Sequence, residues 1–413
     1  RRRAGAWLLA DLPDSSTPQR DWLLVNLLLG ERETQIDGWY KEFQRVGLAH
    51  ILAISGFHLA VLAGFVLLLA RLLGGTARWH GWLVIGIVLL YLVLVEVRMP
   101  VLRAAVMTIA ASLGLVFGRH LRVGGLVSLS AILLLLCRPD ELFNAGFQLT
   151  YSVVLGLLYL TAPVRTRWFG RPNAEAATVG QMLGEWLKTA LAVSVVAWLV
   201  ATPIAMYHFG MISPLGAPLS VVAVPLSAVL LAIGYTKMAL AAFLPSAAML
   251  LGVPLSIGGD VLLAIVRAMD ALPWSMIHVP YPSALWTLVA LAWVCWWCLA
   301  RRWPLSNRVA NCSMCAALAV WLAMPVWQRD SAALRMDMLA VGDGSCYCLR
   351  SGSSAVIFDA GSSSNLDAGR RTIIPALRRL GVRSIDAAVI SHADVGHFSA
   401  TLELVDEFDV GVL

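Results

Sequence analysis

Charge is scarce in this sequence. Of 413 residues only 14% are Asp, Glu, Lys or Arg, against about 25% in an ordinary soluble domain. That shortage excludes an ordinary soluble enzyme, and the apolar content excludes a disordered chain. Lysine is nearly absent: Lys41, Lys188 and Lys237 are the only three, so arginine carries the basic charge, as a genome of biased base composition would produce. The seven cysteines are too few and too embedded in apolar runs for a disulfide-stapled secreted domain. No GxxxxGK[ST] segment occurs, so the chain offers no phosphate-binding loop to power uphill movement. Initiator methionine, recognisable signal peptide and convincing internal repeat are missing too. The chain opens on Arg1-Arg2-Arg3 and stops at Leu413 inside a strand-like run, as an internal fragment would.

What is present is apolar. Hydrophobic residues make up 59% and the mean hydropathy is +0.77, the signature of a polytopic membrane protein. Ten apolar stretches follow one another, near 49–73, 81–97, 99–117, 123–137, 146–163, 187–207, 215–240, 248–268, 284–300 and 309–327. Residues 213–225 are interrupted by Pro and Gly, and unwound backbone at membrane depth requires cover by protein or a water-filled cavity. Residues 1–47 form an amphipathic lead-in. Thr34 and Asp37 mark a helix start, and Ile36, Tyr40, Phe43 and Val46 recur at helical spacing. That helix packs on its neighbour or lies in the membrane interface.

Loop charge supplies an orientation. Arg71, Arg78, Arg119, Arg122, Arg165, Arg167, Arg171, Arg301, Arg302 and Arg308 fall on one side, while the other holds Arg98 and Arg138 beside Glu96, Asp140 and Glu141. The positive-inside rule makes the arginine-rich side cytoplasmic and both ends external. After Arg329 the pattern changes. Arg335–Val341, Cys346–Arg350, Ala355–Phe358 and Ile385–Ile390 read as strands, the last as a buried one, with a helix over Arg371–Leu380 ending at Gly381. The expected organisation is a lead-in over 1–47, a transmembrane domain over 48–328 and a small α/β domain over 329–413.

Four segments concentrate polar chemistry. In "HILAISGFHL", His50 and His58 bracket Ser55 and Gly56; an intramembrane histidine needs partners or water. "MPVLRAAVM" sets Arg103 a few residues into a span, where it must snorkel, pair or line an aqueous path. "FNAGFQLTYS" places Gln148, Tyr151 and Ser152 in a helix start, where interhelical hydrogen bonding is the plain alternative. "YHFGMISPLG" carries His208 and runs on to Val224-Pro225. Lys237 is a further cation inside a span, and Asp260 invites a salt bridge with a basic neighbour.

These segments, in this order and with the lead-in "LLLGERETQIDGWYKEFQRVGLAH", resemble the competence domain of the ComEC family, membrane channels for DNA uptake in natural transformation. Ser220 stands where that family often carries Asn. The resemblance implies a polytopic α-helical protein of about ten transmembrane helices in a bacterial cytoplasmic (inner) membrane. Single-stranded DNA would be the transported partner, lipid the surroundings, with a receptor on the outer face, a cytoplasmic ATP-driven motor and a homo-oligomer as further partners. The DNA-facing candidates are His50, Ser55, Gly56, His58, Arg103, Gln148, Tyr151 and His208.

"LRMDMLAVGDGSCYCLR", "AVIFDAG" and "IDAAVISHADVGHFSA" resemble the opening of a metallo-β-lactamase-type domain, which many ComEC proteins carry. His392, Asp394 and His397 follow a strand, where one loop can converge N and O ligands on a divalent metal such as zinc or manganese. Asp359 would orient that loop as a carboxylate behind the ligands. The resemblance implies a nuclease role and further ligands beyond Leu413. Gly396 stands against that role: it occupies the position of an expected carboxylate and offers no side-chain ligand. A degenerate domain kept as a scaffold or nucleic-acid surface is the plain alternative. The zinc-ribbon-like spacing of Cys295, Cys298, Cys312 and Cys315 is discounted, because both pairs lie in or beside apolar spans. The competing functional readings are a membrane-anchored metal-dependent phosphoester hydrolase and a small-molecule transporter, the latter expected to show inverted repeats.

Overall fold

The structure is a computed structural model that describes residues 18–29, 37–52, 56–94, 99–119, 122–173, 178–279, 281–299 and 334–413 apart from 353 and 366, with the single positions 312, 316 and 319. Five helical stretches are long and apolar enough to cross a bilayer: Met99–Val116, Ala145–Phe169, Val179–Phe209, Gly216–Ala241 and Pro245–Asp270. Gly56–Leu72, Ala77–Val93, Val123–Cys137 and Ala284–Leu299 are shorter apolar helices. Among the described residues five helices thus have the length and composition of a span, and the expected ten are not confirmed; the stretch expected over 309–327 lies outside the described residues, apart from single positions, as do Thr34 and Ile36.

Other boundaries also move. Within the expected stretch 49–73 the described helices are Ala49–Leu52 and Gly56–Leu72, with 53–55 outside the described residues. Residues 213–225 are largely helical: the helix Gly216–Phe243 runs through Pro225. Pro163 and Pro203 likewise sit inside helices, as proline does where neighbouring helices cover the freed carbonyl. Arg165 and Arg167 lie in the last turns of Ala145–Phe169. Arg165 is buried on Glu185 and the Gly170 carbonyl; Arg167 donates to the Trp297 carbonyl at 2.7 Å.

The chain forms two compact units, one from residues 1–202, 213–277 and 294–301, the other from 203–212, 278–293 and 302–413. In the first, the lead-in packs on protein. Phe43 and Val46 are fully buried with Leu23, Leu24, Leu27 and Leu28 of the helix Pro18–Leu29. Arg45 grips Asp270 in a bidentate pair at 2.6 and 2.5 Å. Gly47 has φ +80°, and a Cβ there would lie 2.9 Å from the Ser213 Cβ. The Ser213 hydroxyl donates to the Arg45 carbonyl at 2.8 Å, and Trp198 donates its indole N–H to the Ser213 carbonyl at 2.9 Å. The lead-in and the "ISPLG" turn are therefore one interlocked joint. Ser220, where the family often has Asn, bonds back to the Gly216 carbonyl at 2.6 Å.

The second unit holds a five-stranded sheet in sequential order: Arg335–Met338, Tyr347–Ser351, Ser354–Phe358, Ser384–Val389 and Asp409–Val412. The first two pairings are antiparallel and the last two parallel. Along Ser384–Val389, Ile385 and Ala388 are buried and Ser384, Asp386 and Val389 exposed, so it is part-buried, not the fully buried strand its apolar run predicts. The helical segment Gly369–Arg379 covers the buried face through Ile373, Ile374 and Leu377 and gives way to Gly381 at φ +85°. Cys346 and Cys348 lie in this core.

Candidate functional site

Arg103 is almost wholly buried near the start of Met99–Val116. Its guanidinium donates to the Gly146 carbonyl at 3.0 Å and the Thr150 hydroxyl at 3.1 Å, and lies 3.5 Å from the buried Glu141 carboxylate. It pairs; it does not snorkel. Glu141, read in the sequence as a loop charge, sits in the turn Pro139–Phe143 just before the helix Ala145–Phe169. Asn144 caps that helix by accepting from the Gly146 N–H at 2.8 Å.

Tyr151 is buried against Phe147, and its hydroxyl meets Ser130 of the neighbouring helix at 3.0 Å. Gln148 donates to the Leu142 carbonyl at 3.0 Å. These residues fasten helices and turns to one another. His58 is fully buried and reaches the Leu27 backbone. His50 is exposed, with Nδ1 3.2 Å from the Gly47 carbonyl. Gly56 packs on Ala104, whose Cβ would be 3.2 Å from a Cβ at position 56. Ser55 lies outside the described residues. His208 is half-buried at the end of Val179–Phe209, edge-on to Tyr207 with ring centroids 4.9 Å apart. Asp260 pairs with Arg20 at 3.2 Å, as a salt bridge predicts. Arg20 itself, Asn26 and Ser227 are buried polar groups that the sequence reading passed over. The signal was a polar residue inside the apolar run "DWLLVNLLL".

In the C-terminal unit the geometry centres on Asp359. It follows the strand Ser354–Phe358, is buried, and has φ +57°, a conformation costly for a residue with a Cβ unless its surroundings hold it. Here they do. The Ser391 N–H donates to Oδ1 at 2.8 Å; His397 Nδ1, the Ser345 hydroxyl and the Ser391 hydroxyl meet Oδ2 at 2.8, 2.9 and 3.0 Å. Burial alone would raise the Asp359 pKa. The donated bonds, from the Ser391 amide, His397 and the two serine hydroxyls, outweigh it and hold the carboxyl well below the usual carboxylate range. An ionised carboxylate only accepts, so His397 carries its proton on Nδ1 and turns Nε2 outward from that bond. The His392 ring stands 4.0 Å from that of His397. Asp394, by contrast, spends its carboxylate on the Gly396 N–H at 3.3 Å, capping the short helix Val395–Phe398.

Backbone packing fixes this loop. A Cβ on Gly361 would lie 2.6 Å from the Val395 carbonyl oxygen and 2.7 Å from the Phe398 nitrogen. The Ser345 N–H donates to the Gly396 carbonyl at 3.1 Å and the Ala360 N–H to that of His397 at 2.7 Å. Asp359, expected to orient the loop, bonds Ser345, Ser391 and His397. The three expected metal ligands do not converge: two imidazoles meet, and the carboxylate is turned to the helix cap. Among the described residues no three His, Cys, Asp or Glu side chains form a metal-holding group. The side chains present therefore do not make up a metal's ligand set. Of the discounted cysteines, Cys298 is buried, Cys295 and Cys312 are exposed, and Cys315 lies outside the described residues.

A family model described as Competence protein matches residues 27–304, more than half of the chain. The chain belongs to the Competence protein family. A second model, the metallo-β-lactamase superfamily, matches residues 339–413, the region of the five-stranded sheet, and is the ground for considering a divalent metal there. "ComE operon protein 3" of Bacillus subtilis (strain 168) is 25% identical over 92% of this chain and 49% of its own length. "Uncharacterized protein YcaI" of Escherichia coli (strain K12) is 24% identical over 91% of the chain and 49% of its own length. The chain thus spans about half the length of these curated relatives. No solved structure matches it. The arrangement of apolar helices with a following metallo-β-lactamase-type region agrees with a membrane protein of this family.

Proposed function

We propose that this chain forms the inner-membrane channel through which DNA, as a single strand, enters the cytoplasm during natural transformation. The observation that carries this reading is the competence-family match over residues 27–304, which coincides with the succession of apolar helices. A strand with one negative charge per nucleotide cannot cross hydrocarbon unaided; it needs polar and cationic groups with water around them. Lys237 is a cation buried in the helix Gly216–Phe243, and Arg20 one buried in the helix Pro18–Leu29. The arginine-rich linkers face the cytoplasm in this reading, and a receptor outside and an ATP-driven motor inside complete the route. The C-terminal sheet serves as a nucleic-acid surface.

The test is transport. The full-length protein in sealed liposomes, with a voltage across the bilayer and single-stranded DNA outside, is expected to yield DNA protected from added nuclease. No protected DNA from folded protein, with the motor supplied, overturns the channel reading. The competing reading is a membrane-anchored phosphoester hydrolase, favoured by the meeting of His392 and His397. Metal content together with phosphodiesterase activity of the full-length protein, in the absence of DNA entry, would establish that alternative.

A further inference from the structure

The strand Arg335–Met338 stands at one edge of the five-stranded sheet. Between it and the helix Ile374–Arg379 opens a cavity of about 370 Å³, inside the range of small-ligand sites, about 300–1,000 Å³. Met336, Met338, Leu339 and Leu380 line it, with Asp337 and Arg379 as its charged groups. Arg350 ties the two walls together. It donates to the Asp337 carboxylate at 3.1 and 2.8 Å and to the Leu380 carbonyl. The carboxylate in the wall is thereby neutralised, and the strand is fastened to the end of the helix.

Two features of this cavity point to a ligand. Met336 and Met338 are 67% and 74% exposed, and large apolar side chains exposed together beside charge mark binding sites. Methionine is suited to such a wall, because its flexible, polarizable thioether packs well on flat rings. The second feature is Arg379. Arg350, Arg370 and Arg378 each pair with a carboxylate. Arg379 is exposed and has neither a carboxylate partner nor a hydrogen bond among the described residues. Its guanidinium carbon instead lies 5.5 Å from the centroid of the Tyr281 ring. A ring contact leaves the N–H donors of the guanidinium unused, and their planar fork matches two oxygens of a phosphate.

Tyr281 is itself seated by the "YHFG" segment. Gly210 has φ +62°, and a Cβ there would lie 2.6 Å from the Tyr281 ring. The Val279 N–H donates to the Gly210 carbonyl at 2.9 Å. Glycine at 210 thus leaves room for the ring that Arg379 lies over.

The ligand that uses both features has a flat apolar body and an anion next to it. A peptide added to the strand edge would bind through main-chain bonds and leave Arg379 idle. Each nucleotide of a single strand carries a base with a π-face and a phosphodiester, the pair of groups that cation-and-stacking sites recognise.

We propose that the cavity between the strand Arg335–Met338 and the helix Ile374–Arg379 takes one base of a single nucleic-acid strand against Met336 and Met338, while Arg379 holds the adjoining phosphodiester. The site rests on the channel reading above and gives the nucleic-acid surface of the C-terminal sheet its address.

The two methionines are their own probes, since peroxide converts exposed methionine to its sulfoxide. Full-length protein in detergent is treated with hydrogen peroxide, and each sulfoxide is read by mass spectrometry. A thymidine oligomer is expected to slow oxidation of Met336 and Met338 at least fivefold; an abasic strand of equal length is expected to leave it unchanged. Arg379→Ala is expected to weaken oligomer binding at least fivefold. Arg383→Ala, which removes an exposed cation outside the cavity, is expected to weaken it less than twofold. Equal protection by the abasic strand overturns the proposal, because no base then fills the cavity. Equal loss at 379 and 383 also overturns it, as a diffuse cationic surface. Unprotected methionines overturn it as well, while DNA entry into liposomes by the same preparation keeps the channel reading. Protection lost in Arg379→Ala, without DNA entry, supports the cavity and ends the channel reading. Neither protection nor entry ends both. Should Arg379→Ala melt lower than wild type, Met338→Ser decides. It is expected to weaken the thymidine oligomer severalfold and the abasic strand not at all, and equal effects on the two strands overturn the site.

Discussion

The guanidinium of Arg103 and the carboxylate of Glu141 face each other at 3.5 Å, with side chains only 2% and 6% exposed. Neither charge can reach bulk water without separating Met99–Val116 from the turn before Ala145–Phe169. Removing one partner leaves the other buried and unneutralised. Arg103→Ala is therefore expected to destabilise the protein by about 3–5 kcal/mol, and the double replacement Arg103→Met with Glu141→Leu by much less. Unfolding of the detergent-solubilised variants in a double-mutant cycle measures this. An Arg103→Ala protein of wild-type stability that no longer admits DNA would return Arg103 to the channel path.

Tyr151→Phe removes one hydrogen bond, to Ser130, from a packed helix pair. The expected loss is about 0.5–1.5 kcal/mol, with strand entry unchanged. Equal stability combined with lost entry would mean that the hydroxyl faces the transported strand.

Cys346 and Cys348 are held as thiols. Burial, then the neighbouring Cys348 and Asp359, pushes Cys346 up to about 12, and burial pushes Cys348 up to about 11. A raised thiol pKa contributes stability that is complete below the ordinary thiol range, about 8.5, and is lost as pH climbs through the folded values. Iodoacetamide at pH 8 should spare both cysteines in the folded protein and modify them in urea. Rapid modification of either in the native state would contradict this packing.

Gly361 and Gly396 differ although both lie in the same loop junction. Gly361→Ala drives a methyl into the Val395 carbonyl and Phe398 nitrogen and should cost about 1–3 kcal/mol. At Gly396 the nearest atoms to an added Cβ are 3.5 Å away, so Gly396→Ala should cost less than about 1 kcal/mol. Hydrogen exchange over residues 390–398 is the measure: faster opening is expected for Gly361→Ala and near wild-type protection for Gly396→Ala.

Most of the helices and the sheet could be read from the sequence, because apolar runs and alternation are local signals. The strand after Ser353, the helix ending near Gly381 and the membrane character all followed from them. Length was less legible. Pro225 looks like a breaker, yet the helix passes through it, since helices packed around it cover the freed carbonyl. A polar contact was legible where one residue type has one use: Asp260, a lone carboxylate in an apolar run, pairs with a cation. Legibility failed where the partner is distant in sequence. Glu141 could not be matched to Arg103, nor Ser345 and Ser391 to Asp359, without knowing which turns meet. The capping bond of Asp394 was not legible either, because a carboxylate two residues before a helical N–H serves as a ligand or a cap.

The bond from Arg20 to Ser256 joins residues 236 positions apart. At a synthesis rate of about 5–20 residues per second, the helix bearing Arg20 waits roughly ten to fifty seconds before its partner exists. During that interval a short apolar segment with a cation at its start has neither its serine nor Asp260. This helix therefore finds its partners only after the helix Gly252–Asp270 has been made. Until the helix Gly252–Asp270 arrives, the Arg20 guanidinium lacks both of these long-range partners.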